Sequence, residues 1–317
     1  MAGYSDIEAL LRWDSGCDIT ETRYAWLRAH PRYAETVRIH TARMLKVCEG
    51  DPLLDGILKD AGRTAAAMFA AYLHFSGGLT LPRIKALCVS LGLVSVGRAR
   101  ALLLYLRYLG FVEVVGDRQA REPARYQATP RFMDAWQRLE GAVMESLCTL
   151  EPAMAWLADH IESPNVLARF TCAQCESFLS TAKRVSSDTP YYRIVMHSHA
   201  GTQIINTLLA ANDGAFPPKE PIAFSISAAA KRFKVSRVHI GRLLAKAEKA
   251  GLLTQLEGGA ILFESTGRIA LDDVFAMQFV HYLNAAAQTA KELRAQKDEE
   301  CVFSAHSDVH AAARLNA

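Results

Sequence analysis

Apolar positions along this chain recur mostly at the 3.6-residue spacing of helices, broken twice by short alternating stretches that read as strands. The first break lies in an ordered series. Thr64–Phe75 is an alanine-rich helical run, and Pro82–Ser90 is a second helix with proline in its permissive first turn. Leu91–Val94 is a turn, after which Ser95 caps a helix with Ala101, Leu102, Tyr105, Leu106 and Leu109 on one side. Phe111–Val115 alternates and is rich in β-branched residues, so it reads as a strand. Gly116–Ala124 is a polar loop, Arg125–Ala128 returns, and a long helix starts at Phe132 and continues to about Leu147.

The same series occurs again. Thr202–Ala211 is helical, Ser227–Phe233 precedes a turn at Lys234-Val235, and Ser236–Ala250 is a serine-led helix. Leu253–Leu256 and Ala260–Glu264 pair across Glu257-Gly258-Gly259, and a long helix spans Leu271–Gln296. Pro52 and Pro190, the Ala-Gly pairs at 61–62 and 200–201, Ser95 and Ser236, and Thr129 and Thr266 keep nearly constant offsets. A unit of this length is too long for a solenoid repeat, so the pattern implies a duplicated domain.

Charge follows the duplication. Between Ser76 and Arg131 nine basic residues face three acidic ones, a net +6, and between Lys219 and Leu256 eight face two, again +6. The whole chain carries only +3, so the remainder is acidic and positive charge is concentrated on the two serine-led helices and their hairpins. That is the footprint of a polyanion binder. The 317 residues suffice for two domains, and seven scattered cysteines argue for reduced thiols rather than a disulfide framework. No apolar run approaches the ~20 residues of a membrane span. The N-terminus lacks the basic start and apolar stretch of a secretory signal.

Ile226-Ser227-Ala228-Ala229-Ala230-Lys231-Arg232-Phe233-Lys234-Val235-Ser236-Arg237, continued by Leu243–Leu252, resembles the helix-turn-helix of winged-helix regulators of the MarR type. In the first copy, Asp117-Arg118 in the hairpin and Thr129 at its close are similar to that family's wing. The resemblance implies a mainly α fold with small β-hairpin wings, as tandem winged-helix domains joined by long helices. The expected divisions are 1–150 (motif about 79–131), 151–296 (motif about 222–268) and a flexible tail at 297–317. Members usually carry one such domain and dimerise, whereas this chain carries two.

The resemblance further implies a non-enzymatic, sequence-specific regulator of transcription that reads two half-sites of double-stranded DNA. It would work as a monomeric pseudo-dimer or a homodimer, in a bacterial cytoplasm and associated with the nucleoid. The half-sites are expected ~10 base pairs apart. The candidate DNA-binding residues are Ser95, Arg98, Arg100, Arg118, Arg121 and Arg125 in the first copy, with Ser236, Arg237, His239, Arg242 and Lys246 in the second. Arg98, Arg100, Arg237 and Arg242 are placed to reach base edges, since a guanidinium pairs bidentately with guanine. His239 fits a base or a phosphate and Lys246 a phosphate. Arg118, Arg121 and Arg125 fit a wing that follows the phosphates or enters the minor groove. Two alternatives stay open: a plasmid-type replication initiator, and a tandem winged-helix protein-interaction scaffold.

No cofactor or metal is expected. Cys172 and Cys175 have a two-residue spacer, and His197 and His199 could complete a site, but the cysteines fall in a helical run, Ala168–Ala182, without a second ligand pair. No glycine-rich phosphate loop, serine nucleophile elbow or metalloprotease helix is present. Trp13, Trp26, Trp136 and Trp156 lie outside the basic segments. They either pack the joining helices or line a pocket for an aromatic effector.

Overall fold

The structure, a computed structural model, describes residues 10–11, 21–92, 94–116, 122–182 and 189–315, the side chains of 21, 181–182 and 297–315 excepted. Helices α1 (Glu21–Ala29), α2 (Tyr33–Gly50) and α3 (Pro52–Ile57) lead in. The chain continues through α4 (Ala61–Phe75), β1 (Leu79–Thr80), α5 (Leu81–Ser90), α6 (Val96–Tyr108), β2 (Val112–Val115), β3 (Arg125–Ala128) and α7 (Pro130–Leu147). After α8 (Met154–His160), α9 (Pro164–Ala182) and a π turn at Tyr192–Met196, the order from α4 onward repeats. Its second copy is α10 (Gly201–Ala210), β4 (Ile222–Ala223), α11 (Ile226–Phe233), α12 (Arg237–Lys249), β5 (Leu253–Gln255), β6 (Ala260–Phe263) and α13 (Ser265–Leu315).

The fold is therefore mainly helical with two small three-stranded antiparallel sheets, ordered β1-β3-β2 and β4-β6-β5. In the first, Val112 pairs with Ala128 and Val115 with Arg125; in the second, Leu253 pairs with Phe263. Each hairpin gains a third, two-residue strand, with Leu79 opposite Tyr126 and Ile222 opposite Ile261. Those two strands are too short for alternation to announce them, and the sequence pattern shows only hairpins. The final helix begins at Ser265 rather than Leu271 and continues to Leu315.

Local chemistry starts and stops these elements, at Ser95 and Ser236 as the sequence suggests and at three further caps. The hydroxyls of Thr80, Ser95, Thr129, Ser225 and Ser236 each accept from the backbone N–H three residues on, satisfying a donor that the helix itself leaves unpaired. The turn between α5 and α6 holds Gly92 at φ 64, and Lys234 holds the matching place before α12 at φ 55. In the left-handed region a side chain is strained, so one copy uses the residue that fits and the other does not.

The halves interlock. Helix α2 packs on α7 within the first half and α9 on α13 within the second, while α2 also crosses to α10 and α9 to α4. Trp136 is buried, and its Nε1 donates to Thr171 Oγ1 of α9 at 3.1 Å, one of the contacts joining the halves. Trp156 stacks on His160, Trp26 is partly exposed, and Trp13 lies outside the described residues. Among the described residues no helix is long and apolar enough to cross a membrane.

Candidate nucleic-acid interface

The two serine-capped helices α6 and α12 occupy equivalent places, each between a short helix and a hairpin. Helix α6 buries Ala99, Leu102, Leu103 and Leu106, and α12 buries Ile240, Leu243, Leu244 and Ala247. What remains outside is the candidate surface. On α12 it carries Arg237, Val238, Arg242, Lys246 and Lys249, three of them at i, i+4 and i+7 on one face, together with Glu248, whose carboxylate accepts from Gln255. On α6 it carries Arg100 and Arg107, but Leu104, on the same face, is 48% exposed and Tyr108 85% exposed. Val114 and Val115 of the adjoining strand are exposed as well. The second helix is predominantly basic outside, and the first mixes arginine with apolar side chains.

Several basic residues elsewhere are paired with carboxylates. Arg28 pairs with Asp272 and Asp273, Arg138 with Asp51, Arg169 with Glu292, and Arg232 with Glu49. Among the described residues Arg100, Arg107, Arg125, Arg237, Arg242 and Lys246 have no carboxylate partner within 4.0 Å. An unpaired guanidinium on a surface keeps its charge available for a phosphate or a base edge.

Arg98 and His239 are placed differently from their neighbours. Arg98 Nη2 donates to Asp60 Oδ1 at 2.7 Å, and Asp60 also holds Arg63. His239 Nε2 lies 2.8 Å from the His199 carbonyl oxygen. These are matching contacts in the two copies, since Asp60 and His199 both precede the Ala-Gly pairs that open α4 and the region of α10. The copies meet at this point: the Ala200 N–H donates to the Lys59 carbonyl at 2.8 Å. Lys59 is itself buried, with its Nζ on Asp55 at 2.8 Å, Gln203 at 3.0 Å and the Phe233 carbonyl at 3.2 Å. The first turns of both serine-capped helices are thus anchored to one junction. Burial, then the nearby Arg98, holds His197 below its ordinary value; burial, Arg63 and Lys59 do the same to His199.

Of the other candidates, Ser95 and Ser236 use their hydroxyls as helix caps, Arg125 is exposed on β3, and Arg118 and Arg121 lie outside the described residues. Cys172 and Cys175 stand about one turn apart on α9, where burial first, then Glu176 among other nearby groups, pushes both thiols up, Cys172 to about 11. Their thiolates are disfavoured, and among the described residues no group of three or more histidine, cysteine or acidic side chains could hold a metal.

The Lys59 junction and the pairing of Arg98 were not visible in the sequence. Each depends on a residue from far along the chain. Comparison with protein-family models, with curated proteins and with solved structures finds no match to this chain.

Proposed function

We propose that the chain is a sequence-specific double-stranded DNA-binding regulator, in which two winged-helix units present α6 and α12 to successive stretches of one duplex. The observation that carries this reading is the pair of equivalent serine-capped helices whose outward basic side chains lack carboxylate partners. Base reading then falls to Arg100 in the first unit and to Arg237 and Arg242 in the second. Lys246 and Arg125 serve the backbone, and Arg98 serves the junction while held by Asp60. One rigid junction between the first turns sets the spacing of the two half-sites.

The test is fluorescence anisotropy on a duplex selected from a random library, at several salt concentrations. Neutralising six or more phosphates should cost roughly 10³-fold in affinity between 50 and 200 mM salt. Arg242→Ala should cost roughly 1–3 kcal/mol and relax specificity in one half-site. Affinity indifferent to salt would refute the reading. Selection of promoter sites or of origin repeats separates a regulator from a replication initiator.

The apolar strip of Leu104, Tyr108, Val114 and Val115 favours a second reading, in which the first unit binds protein while the second binds DNA. Tyr108→Ser leaves DNA affinity unchanged on that reading and lowers it if α6 itself enters a groove.

A further inference from the structure

Where the halves interlock, α2, α4 and α7 from the first and α9, α10 and α13 from the second enclose a cavity of about 240 Å³. Trp136, Phe178, Tyr191, Phe275 and Tyr282 form its aromatic wall. Among the described residues four buried side-chain polar atoms have no hydrogen-bond partner: His40 Nδ1, Glu140 Oε2, Gln174 Oε1 and His281 Nε2. All four residues line this cavity, and each is more than nine-tenths buried. An unpaired buried polar group costs about 1–3 kcal/mol, so four such residues around one aromatic-walled space single it out as the candidate binding site of the interior.

The walls also select the ligand's charge. No lysine or arginine lines the cavity. Burial holds His40 and His281 neutral, both lowered to about 4. The carboxyl of Glu140 has only the neutral Gln174 as a hydrogen-bond partner. An anion placed here would sit beside a carboxyl with no cation to hold it. A cation would find a counter-ion and the negative faces of aromatic rings.

We propose that this cavity binds a small organic cation, an ammonium carried on one ring or a short apolar chain, with Glu140 as its counter-ion and Gln174 Oε1 accepting a further N–H. Size narrows the class: an apolar cavity of roughly 150 Å³ holds benzene, so this one accommodates a single ring with a short arm. Binding an ammonium drives off the Glu140 proton, so affinity rises with pH until about 8, the value to which burial lifts that carboxyl. The other groups around it are silent between pH 6 and 8. His40 on α2 and His281 on α13 stay neutral, burial raises Tyr282, and Gln174 on α9 carries no charge. The proposal does not depend on DNA binding.

The experiment is calorimetric titration of the full chain with phenethylamine, phenethyl alcohol and phenylacetate, which match in size and differ in charge. The amine should bind at least about tenfold more tightly than the alcohol, the gain of one charged hydrogen bond, and phenylacetate should not bind. The amine's advantage should grow from pH 6 to pH 8 and vanish in Glu140→Gln. Ala65→Met, which adds volume on the α4 wall of the cavity, should abolish binding while circular dichroism shows a folded chain. Equal binding of amine and alcohol, tighter binding of phenylacetate, or an unchanged amine affinity in Glu140→Gln overturns the assignment. So does the absence of binding by phenethylamine, tyramine and tryptamine at millimolar concentration, which would leave a solvent-filled void only.

Discussion

Glu140→Gln should remove a slope from the dependence of stability on pH. The carboxyl is 1% exposed, and burial lifts it from 4.5 to about 8, with a smaller opposing effect from its hydrogen bond to Gln174. In the unfolded chain this group is ionised above pH 4.5, while in the folded chain it stays protonated until about pH 8. Between those values the unfolded state binds fewer protons, so stability falls as pH rises, by about 1.4 kcal/mol per pH step and about 5 kcal/mol over the window. His40 and His281 act on the acid side. Burial lowers both from 6.5 to about 4, so their contribution is complete above pH 6.5 and is lost as pH falls towards 4, about 3 kcal/mol each. The three together place maximal stability near pH 6.5 and a decline above it. Glutamine accepts the Gln174 hydrogen bond and never ionises, so the variant should lack that decline. Urea unfolding followed by circular dichroism, at intervals from pH 5 to pH 9, gives both curves, and their difference cancels every other titrating group. The variant should gain about 3.5 kcal/mol on the wild type between pH 5 and pH 8. Parallel curves would mean that the Glu140 carboxyl is hydrated or paired in the folded protein, and would refute the argument.

Other expectations follow from the turns and the junction. Lys234→Gly relieves a left-handed residue at the turn before α12, as Gly92 does in the first copy, and should raise stability by roughly 0.5–1 kcal/mol in thermal melts. Lys59→Met leaves Asp55, Gln203 and the Phe233 carbonyl without their shared donor, and should cost roughly 2–4 kcal/mol by urea unfolding. A loss below half a kcal/mol would show that the copies are held by apolar packing alone. Ser236→Ala removes the cap on the His239 N–H and should cost about 1 kcal/mol, whereas Ser236→Asp should be tolerated.

The sequence by itself determined the repeated element order, and it did so through short-range chemistry. Serine and threonine caps, Pro82, the glycines of the second hairpin turn and the 3.6-residue stripes act within a few residues, so their effects are legible without a fold. The starts of α6 and α12 and the ends of α5, α7, α9 and α11 fall within a residue of where those signals put them. Two of the strands escaped notice because two residues show no alternation, and their place comes from pairing with a hairpin about 40 residues further on.

Tertiary structure alone decided what those elements offer. Whether an arginine on a helix is an available charge depends on whether a carboxylate stands beside it. Arg98 meets Asp60 from another helix, whereas Arg100, two residues on, meets none among the described residues. The cavity is the same case in the interior. Glu140 shares the helix face of Trp136, Val143, Met144 and Leu147, a position where a carboxyl is conspicuous. Its gathering with His40, Gln174 and His281 comes from the crossing of helices of both copies, which local spacing does not encode. Burial, pairing and charge balance are properties of neighbours in space, and those neighbours lie about 35 to 240 residues apart along this chain.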